Sequence, residues 1–293
     1  MTVAKAGPTI RAARGPILSR GAPVSTELPV PELPEVEIMA RNVARWAEGA
    51  RLTGVDIADP RVLSGGDPAA RIGETLRAST RRAKWLVMAF EGGDWLWHFR
   101  MTGKFVRDDG RPRWRAALSF DNGERLLFCD TRCLGEWHAI EPGARDAFFA
   151  DRAAGAEPYP DPQPGGWWQA HLGGTRAAIK TVMMDGRRIC GIGNIMAAEI
   201  LFDAGVSPFT PARDLDDAAW DAIAESAHRI LHRVVDAETA DEIAYVNDGG
   251  DIAQTPFCVY GREGDPCSIC GTVIVRTKQG GRSTFHCPAC QPG

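Results

Sequence analysis

Four cysteines, one proline-glutamate stretch and a few placed cations carry the chemistry that can be read from this chain. Cys267 and Cys270 form one CxxC pair and Cys287 and Cys290 a second, with 16 residues between the pairs. Four thiolates at this spacing suit tetrahedral Zn²⁺ with no open coordination position, so one structural ion is expected. Between the pairs, Lys278, Arg282, Ser283 and Thr284 make a polar tip, a form that can press an Arg against phosphates. Pro31-Glu32-Leu33-Pro34-Glu35-Val36-Glu37 puts two prolines and three glutamates in seven residues. Were the chain to begin at Pro31, its secondary amine would titrate near neutrality, far below a lysine. Attack of that amine on an aldehyde-level carbon gives an iminium, an electron sink for later eliminations. Glu32 and Glu35 stand close by to exchange protons. Val30 precedes Pro31, and valine codons such as GUG serve as bacterial starts; the initiator, read as Met, is removable before a small residue.

Further sites are less specific. Arg81-Arg82-Ala83-Lys84 sets three cations before the apolar Trp85-Leu86-Val87, so Lys84 is the last polar residue before a strand core and can lie at a cleft. The alternative is a solvated strand end. Gly191-Ile192-Gly193-Asn194 opens a helix whose free N–H groups and dipole make an anion site, with Lys180, Arg187 and Arg188 upstream. His98, between aromatic strand residues, reads as a core histidine.

The elements that must position these residues are legible in outline. Val36, Met39, Ala40, Val43 and Ala47 line one helix face, and Pro34 suits the first turn. Leu52, Val55 and Ile57 mark a strand. Residues 84–90 and 95–99 flank a Gly92-Gly93 hairpin turn. Trp114, Ala116, Leu118 and Phe120 alternate with Arg113, Arg115 and Ser119 as a half-buried strand, and Asn122-Gly123 turns into Leu126-Leu127-Phe128. Repeated short strands over roughly 50–140 predict a β-sandwich or barrel. Residues 155–166, rich in Pro and Gly, read as a linker. Beyond it, Asn194 is the expected N-cap of a helix with a stripe of Ile195, Ala198, Leu201 and Phe202, ended by Gly205 and Pro208. A longer helix carries Ile223, Ala227, Ile230, Leu231 and Val234 on one face.

The chain has 293 residues, 44% hydrophobic and 25% charged, an ordinary composition for a soluble protein of two or more domains. No apolar run approaches the ~18 residues that cross a bilayer. Residues 1–30, with Pro8, Pro16, Pro23 and Pro29 and no hydrophobic period, read as a disordered leader or a misassigned start. A transit peptide is the alternative. Net charge is −4, and removing Lys5, Arg11, Arg14 and Arg20 against Glu27 leaves −7. Any nucleic-acid binding must then come from local patches. One Cys₄ set plus scattered Cys129, Cys133, Cys190 and Cys258 indicates a reducing cytosol.

Taken in order, the motifs resemble the formamidopyrimidine-DNA glycosylase and endonuclease VIII family from Pro31 to Gln291. They are the 31–37 stretch, Arg-Arg-Ala-Lys at 81–84, His-Phe-Arg-Met-Thr-Gly at 98–103 and Asp-Thr-Arg-Cys-Leu-Gly at 130–135. They continue with Ile-Lys-Thr-Val-Met-Met-Asp at 179–185, Gly-Ile-Gly-Asn-Ile at 191–195, Val-Tyr-Gly-Arg-Glu-Gly-Asp-Pro-Cys at 259–267 and Arg-Ser-Thr-Phe-His-Cys-Pro-Ala-Cys-Gln at 282–291. The wording at 31–37 is closer to the formamidopyrimidine branch.

The resemblance implies an α+β chain: an N-terminal β-sandwich with an N-terminal helix over 31–154, the 155–166 linker, a helix–two-turn–helix domain over 167–257 and a Cys₄ zinc finger over 258–293. It implies a bifunctional DNA glycosylase and AP lyase of base excision repair, acting on oxidised bases, with 8-oxoguanine and formamidopyrimidines favoured. Pro31 would attack C1′ of the damaged nucleotide and form a Schiff base, followed by β- and δ-elimination. Glu32 would protonate the sugar ring oxygen, Lys84 would contact a phosphate and aid base removal, and Glu35 would be a second acidic residue of the site. Met101 and Arg132 match residues that fill the hole left by the flipped nucleotide. Leu134 stands where the family often has Phe, which costs aromatic stacking. Asn194 and Arg282 match phosphate grips, and Lys180 matches a lysine near the lesion pocket. At 245–257 the usual glycine-aromatic wording of the lesion-covering loop is missing. The implied partner is double-stranded DNA holding oxidised bases or abasic sites, met by a monomer in the bacterial cytoplasm, with no membrane and no cofactor beyond zinc. Two other readings stay open: an oxidised-pyrimidine glycosylase of the endonuclease VIII type, and a damage-binding protein that does not cut, should residues 1–30 stay attached. A bare zinc-ribbon module would leave 31–250 unexplained.

Overall fold

A computed structural model describes residues 31–152, 154–237 and 257–293. The leader, and all of the 245–257 loop except Phe257, lie outside the described residues.

Helix α1 spans Leu33–Ala47, with Pro34 in its first turn. The expected face is buried, and so are Leu33, Ile38, Asn42 and Trp46. The helix is covered on more than one side because it packs on the β-strands and on the last long helix. Two sheets follow. One has the order β1-β7-β8-β6, with β1 Leu52–Ile57, β6 Lys104–Arg107, β7 Ala116–Phe120 and β8 Arg125–Cys129. The other has the order β2-β9-β5-β4-β3, with β2 Leu63–Gly65, β3 Ala78–Arg82, β4 Trp85–Phe90, β5 Gly93–His98 and β9 Glu136–Ile140. The Gly92-Gly93 turn joins β4 to β5 as an antiparallel pair. A side chain at Gly93, whose φ is +129, would lie 2.0 Å from the Ile140 carbonyl, so only glycine fits.

Between the sheets lie Trp97, Trp137, Phe105 and Phe128, with Trp97 and Trp137 stacked at 4.2 Å. Each ring removes on the order of 200 Å² from water, worth roughly 5 kcal/mol before ordering costs. The simple alternation expected for 113–120 does not hold. Ala116, Ala117 and Leu118 are all buried, because Ala117 joins Val106, Leu127 and Cys129 under Trp114 in a second small cluster on the outer face. Arg115 is buried as well, drawn in by two carboxylates.

Among the described residues five α-helices follow: α2 Arg145–Asp151, α3 Gly165–Leu172, α4 Ile179–Met183, α5 Asn194–Asp203 and α6 Asp217–Ala237. In α5 every residue from Ile195 to Phe202 is buried, so it is a core helix and not a striped one. Gly205, at φ +66, ends it. In α6 the expected face is buried. The Pro-rich segment before α3 is no free tether. Gly155 donates to the Gly186 carbonyl at 2.8 Å, and Ala156 pairs with Ile189.

The last described part holds β10 Val275–Gln279 and β11 Arg282–His286, an antiparallel hairpin with the two CxxC turns beside it. It is fastened to α5 by the Glu199 carboxylate, which accepts from the N–H groups of Cys258, Val259 and Tyr260 at 2.7–2.9 Å.

Candidate active site and nucleic-acid interface

Glu32 is buried and reaches from the start of α1 to the start of α5. Its Oε2 accepts from the N–H groups of Gly193 (2.8 Å) and Met196 (3.1 Å), and its Oε1 from Ile195 (2.9 Å). The anion site expected at 191–194 exists, but the chain's own carboxylate fills it. Asn194 is therefore not the N-cap. Gly193 is, and Asn194 becomes the first helical residue, with its side chain turned to Lys180 instead. A methyl group at Gly193 would stand 2.2 Å from Glu32 Oε1 and 2.6 Å from Lys84 Nζ. The carboxylate and the ammonium thus border one small space that the missing side chain leaves open. Glu35 is buried too and accepts from the Glu32 N–H at 2.8 Å, a capping-box bond that fixes the start of α1. It holds Glu32 in place. Pro31, buried, immediately precedes this centre.

Lys84 is delivered by a strained turn. Ala83 has φ +55, a left-handed conformation that costs a non-glycine residue about 1 kcal/mol. Glu157 secures it, accepting from the N–H of Ala83 at 2.5 Å, from Arg81 at 2.8 Å and from Arg82 at 2.7 Å. Arg82 also donates to Cys190 Sγ and to the Gly155 carbonyl, and Arg81 to Glu37. These arginines are neither a solvated strand end nor a DNA patch; they tie the sandwich to the helical domain. Burial raises the Glu157 carboxyl's pKa, but the Arg81 charge and these bonds outweigh it and hold it below the usual range.

Met101 is half-buried, while Arg132 and Leu134 are exposed, on two neighbouring loops of the sandwich. Arg100 and Cys133, beside them, both have φ +54. His98 Nδ1 accepts from the Arg100 N–H at 3.0 Å. Burial, and then the Arg100 charge, push the imidazole of this half-buried histidine down to about 3, so it is neutral.

Lys180 is 1% exposed and lies away from any surface. Its Nζ donates to Asn194 Oδ1 at 2.6 Å and to the Ser283 carbonyl at 3.3 Å. Lys180 thus braces α5 against β11. Arg282 and Lys278 are exposed at the hairpin end. Ser283 and Thr284, expected at the polar tip, are buried instead, because β11 packs on α5.

The sulfurs of Cys267, Cys270, Cys287 and Cys290 lie within 4.8 Å of one another. Cys267 and Cys290 are 3.8 Å apart, Cys270 and Cys287 3.5 Å. With Zn–S bonds of about 2.3 Å, a tetrahedron has edges near this length. The Ile269 and Cys290 N–H groups point at Cys267 and Cys287 sulfurs at 3.4 Å, which suits thiolates. The set fits one structural zinc ion. Gln291 docks this finger on the helical domain, donating to the Val206 carbonyl at 2.9 Å.

Known proteins share this arrangement along its length. The formamidopyrimidine-DNA glycosylase N-terminal domain matches residues 30–137, the family's H2TH domain 155–243, and the zinc finger found in FPG and IleRS 264–293. A formamidopyrimidine-DNA glycosylase of Janthinobacterium sp. (strain Marseille) is 35% identical, over 89% of this chain and 100% of its own length. The chain belongs to the formamidopyrimidine-DNA glycosylase family. It is a DNA glycosylase of base excision repair with AP lyase activity. The namesake of Chloroflexus aggregans is 36% identical over 89% of this chain and 98% of its own. Among solved structures, Lactococcus lactis Fpg with abasic-site DNA superposes with a TM-score of 0.80 at 26% identity, covering 89% of this chain and 100% of that one.

The sequence marks Glu32, Glu35, Lys84 and Gly193, which meet at this glycosylase's centre, but gives no sign of what holds them together. Gly193 was flagged for an outside phosphate, and the Glu32–Gly193 pairing carried no local signal. Glu157, Glu37, Asp130 and Arg115 were not singled out as site residues. All four lie in stretches read for other reasons: Glu37 in the 31–37 run, Glu157 in the Pro-rich linker, Asp130 in the 130–135 motif and Arg115 in the half-buried strand.

Proposed function

We propose that the working chain begins at Pro31 and that its secondary amine attacks C1′ of a damaged nucleotide turned out of double-stranded DNA. The N-terminal family domain, which begins at residue 30, supports that start. Attack expels the base; loss of the ring C–O bond gives a Schiff base between Pro31 and C1′. Successive β- and δ-eliminations then remove the sugar and leave a one-nucleotide gap, with the iminium as electron sink.

One observation carries the assignment of roles: Glu32 Oε1 and Lys84 Nζ share the space over Gly193, one residue along from Pro31. Of the two carboxylate oxygens, Oε1 is the one nearest that space, and it accepts one N–H from α5 against two for Oε2. Oε1 is the atom that exchanges a proton with the sugar ring oxygen. Lys84 faces the phosphate and helps the base depart. Glu35 positions Glu32 through its backbone. Met101, Arg132 and Leu134 fill the hole in the stack. Asn194 and Arg282 grip phosphates, with Lys180 setting Asn194.

Oxidised purines are the favoured lesions. Solved relatives of this fold hold DNA containing carbocyclic 8-oxo-G and Fapy-dG. An oxidised-pyrimidine preference is the second reading, favoured by the unusual wording at 245–257 and by a Lactococcus lactis Fpg complex with oxidised-pyrimidine DNA. Among the described residues no helix is long and apolar enough to cross a membrane, and we place the enzyme, as a monomer, on DNA in the bacterial cytoplasm. Borohydride trapping on abasic-site DNA tests the mechanism. A covalent adduct is expected from protein starting at Pro31; absence of an adduct from that form overturns it. A panel of duplexes, each with one lesion, ranks the substrates.

A further inference from the structure

Met101 sits on the loop after β5, and Arg132 and Leu134 on the loop after β8. Two of their own side chains, the Asp130 carboxylate and the Thr102 hydroxyl, pin one loop to the other. Asp130 is 6% exposed. Its Oδ1 accepts from the Thr102 hydroxyl, at 2.5 Å, and from the Arg132 N–H at 3.3 Å. Its Oδ2 accepts from the Gly135 N–H at 2.7 Å and from Arg115 Nη1 at 3.1 Å. The Arg132 N–H is shared with Thr102 Oγ1 at 3.1 Å. Thr102 is the neighbour of Met101, and Arg132 is itself one of the hole-filling residues, so both loops end on Asp130.

The support behind it is rigid. Arg115 is 4% exposed and also donates to the Gly135 carbonyl at 3.0 Å and to Asp59 at 3.0 Å. Gly103 and Gly135, at the loop ends, both lie against Phe128, where a methyl group would come within 3.1 Å and 2.7 Å of Cζ. A buried carboxylate with all four acceptor positions filled and a guanidinium behind it cannot turn without losing several bonds. Cys133, left-handed, donates its N–H to the Asp130 carbonyl at 3.2 Å.

The geometry points to Asp130 as a positioning residue, acting with Thr102 and Arg115, that sets Met101, Arg132 and Leu134 as one preformed wedge before DNA arrives. This rests on the reading that those three residues enter the stack. The bland alternative is that Asp130 only stabilises the sandwich, and it predicts loss of folding with no selective loss of insertion.

The test uses the full zinc-loaded chain and a duplex carrying a tetrahydrofuran abasic analogue opposite 2-aminopurine, whose fluorescence follows stacking and needs no catalysis. Thr102→Val removes one arm of the brace and keeps the shape; Asp130→Asn turns acceptors into a donor facing the Gly135 N–H and Arg115. Both are expected to slow the insertion phase about tenfold or more, since a misplacement of about 1 Å costs that much and beyond. The melting temperature of Thr102→Val is expected within about 4 °C of the parent. An insertion phase unchanged in both variants overturns the proposal, as does slowing only in proportion to lost folded protein. Arg132→Ala with Leu134→Ala is the control. If that double variant keeps the insertion phase, the wedge reading itself fails, and the brace with it; if it loses the phase while the brace variants keep it, the brace alone fails.

Discussion

Two buried carboxylates join the three parts of this glycosylase, and each accepts three backbone N–H groups. Glu32 takes those of Gly193, Ile195 and Met196 at the start of α5. Glu199, within the same helix, takes those of Cys258, Val259 and Tyr260 where the finger begins. The number of bonds is equal; the surroundings are not. Glu199 is 0% exposed, and burial pushes its carboxyl above the ordinary range while the N–H donors pull the other way. Glu32 has an oxygen facing the same gap as Lys84 Nζ. A capping carboxylate becomes a candidate for chemistry when a second ionisable group and an open space adjoin it. Without them it is a fastener.

The largest effect should come from blocking the nucleophile. Protein that retains residues upstream of Pro31, in which the nitrogen is a tertiary amide, is expected to lose borohydride trapping by at least about a thousandfold. Trapping at the level of protein starting at Pro31 would remove the reason for a chemical role at the Glu32 seam. Next, Glu32→Gln should lower excision of a damaged base by roughly 10²-fold while keeping part of the lyase reaction on preformed abasic sites. Glu199→Gln should leave chemistry on bound DNA near normal and cost about 1–3 kcal/mol of stability, read in a denaturant titration. Equal catalytic loss in both variants would erase the contrast.

Gly193→Ala sharpens it further. The backbone there has φ −123, which alanine accepts, so the effect is steric. The new methyl must displace Glu32 Oε1 or Lys84, and single-turnover excision should fall about 10- to 100-fold with little change in duplex affinity. Arg282→Ala belongs to the other seam. It should weaken duplex binding by about tenfold and lower the salt slope by about 1, with single-turnover rates at saturating enzyme retained. The last effect, on stability alone and only in acid, concerns His98. Its folded-state value, about 3, lies below its unfolded one, so the unfolded chain takes up the proton first as pH falls. Its contribution is fully present above about 6.5 and is lost as pH drops toward 3, at no more than about 1.4 kcal/mol per pH unit. His98→Gln should flatten that part of the curve of melting temperature against pH.

Much of this was legible from local pattern. The Cys₄ spacing, the Gly92-Gly93 hairpin, the α1 face and the α6 face each declare themselves within about 20 residues, because periodicity and turn chemistry are local. The seams are not local. Glu32 meets α5 some 160 residues away, and no spacing rule links them. Asn194 looked like an N-cap because nothing nearby showed that a distant glutamate would take that role. Arg81 and Arg82 looked like a charged strand end because Glu157 lay in a stretch whose prolines advertised a linker. The β7 alternation failed because the outer face is covered too: Trp114, just ahead of the strand, packs over Ala117 together with Val106, Leu127 and Cys129 from the two strands beyond.

Ala83, Arg100 and Cys133 stand next to Lys84, Met101 and the Arg132–Leu134 pair, each in a backbone shape that glycine adopts without penalty. A laboratory selection for heat resistance would therefore be tempted to install glycine at these three places. The winners would tolerate warmth as well or better and aim their tools worse, so a screen run on survival alone would drift away from a sharp repair enzyme.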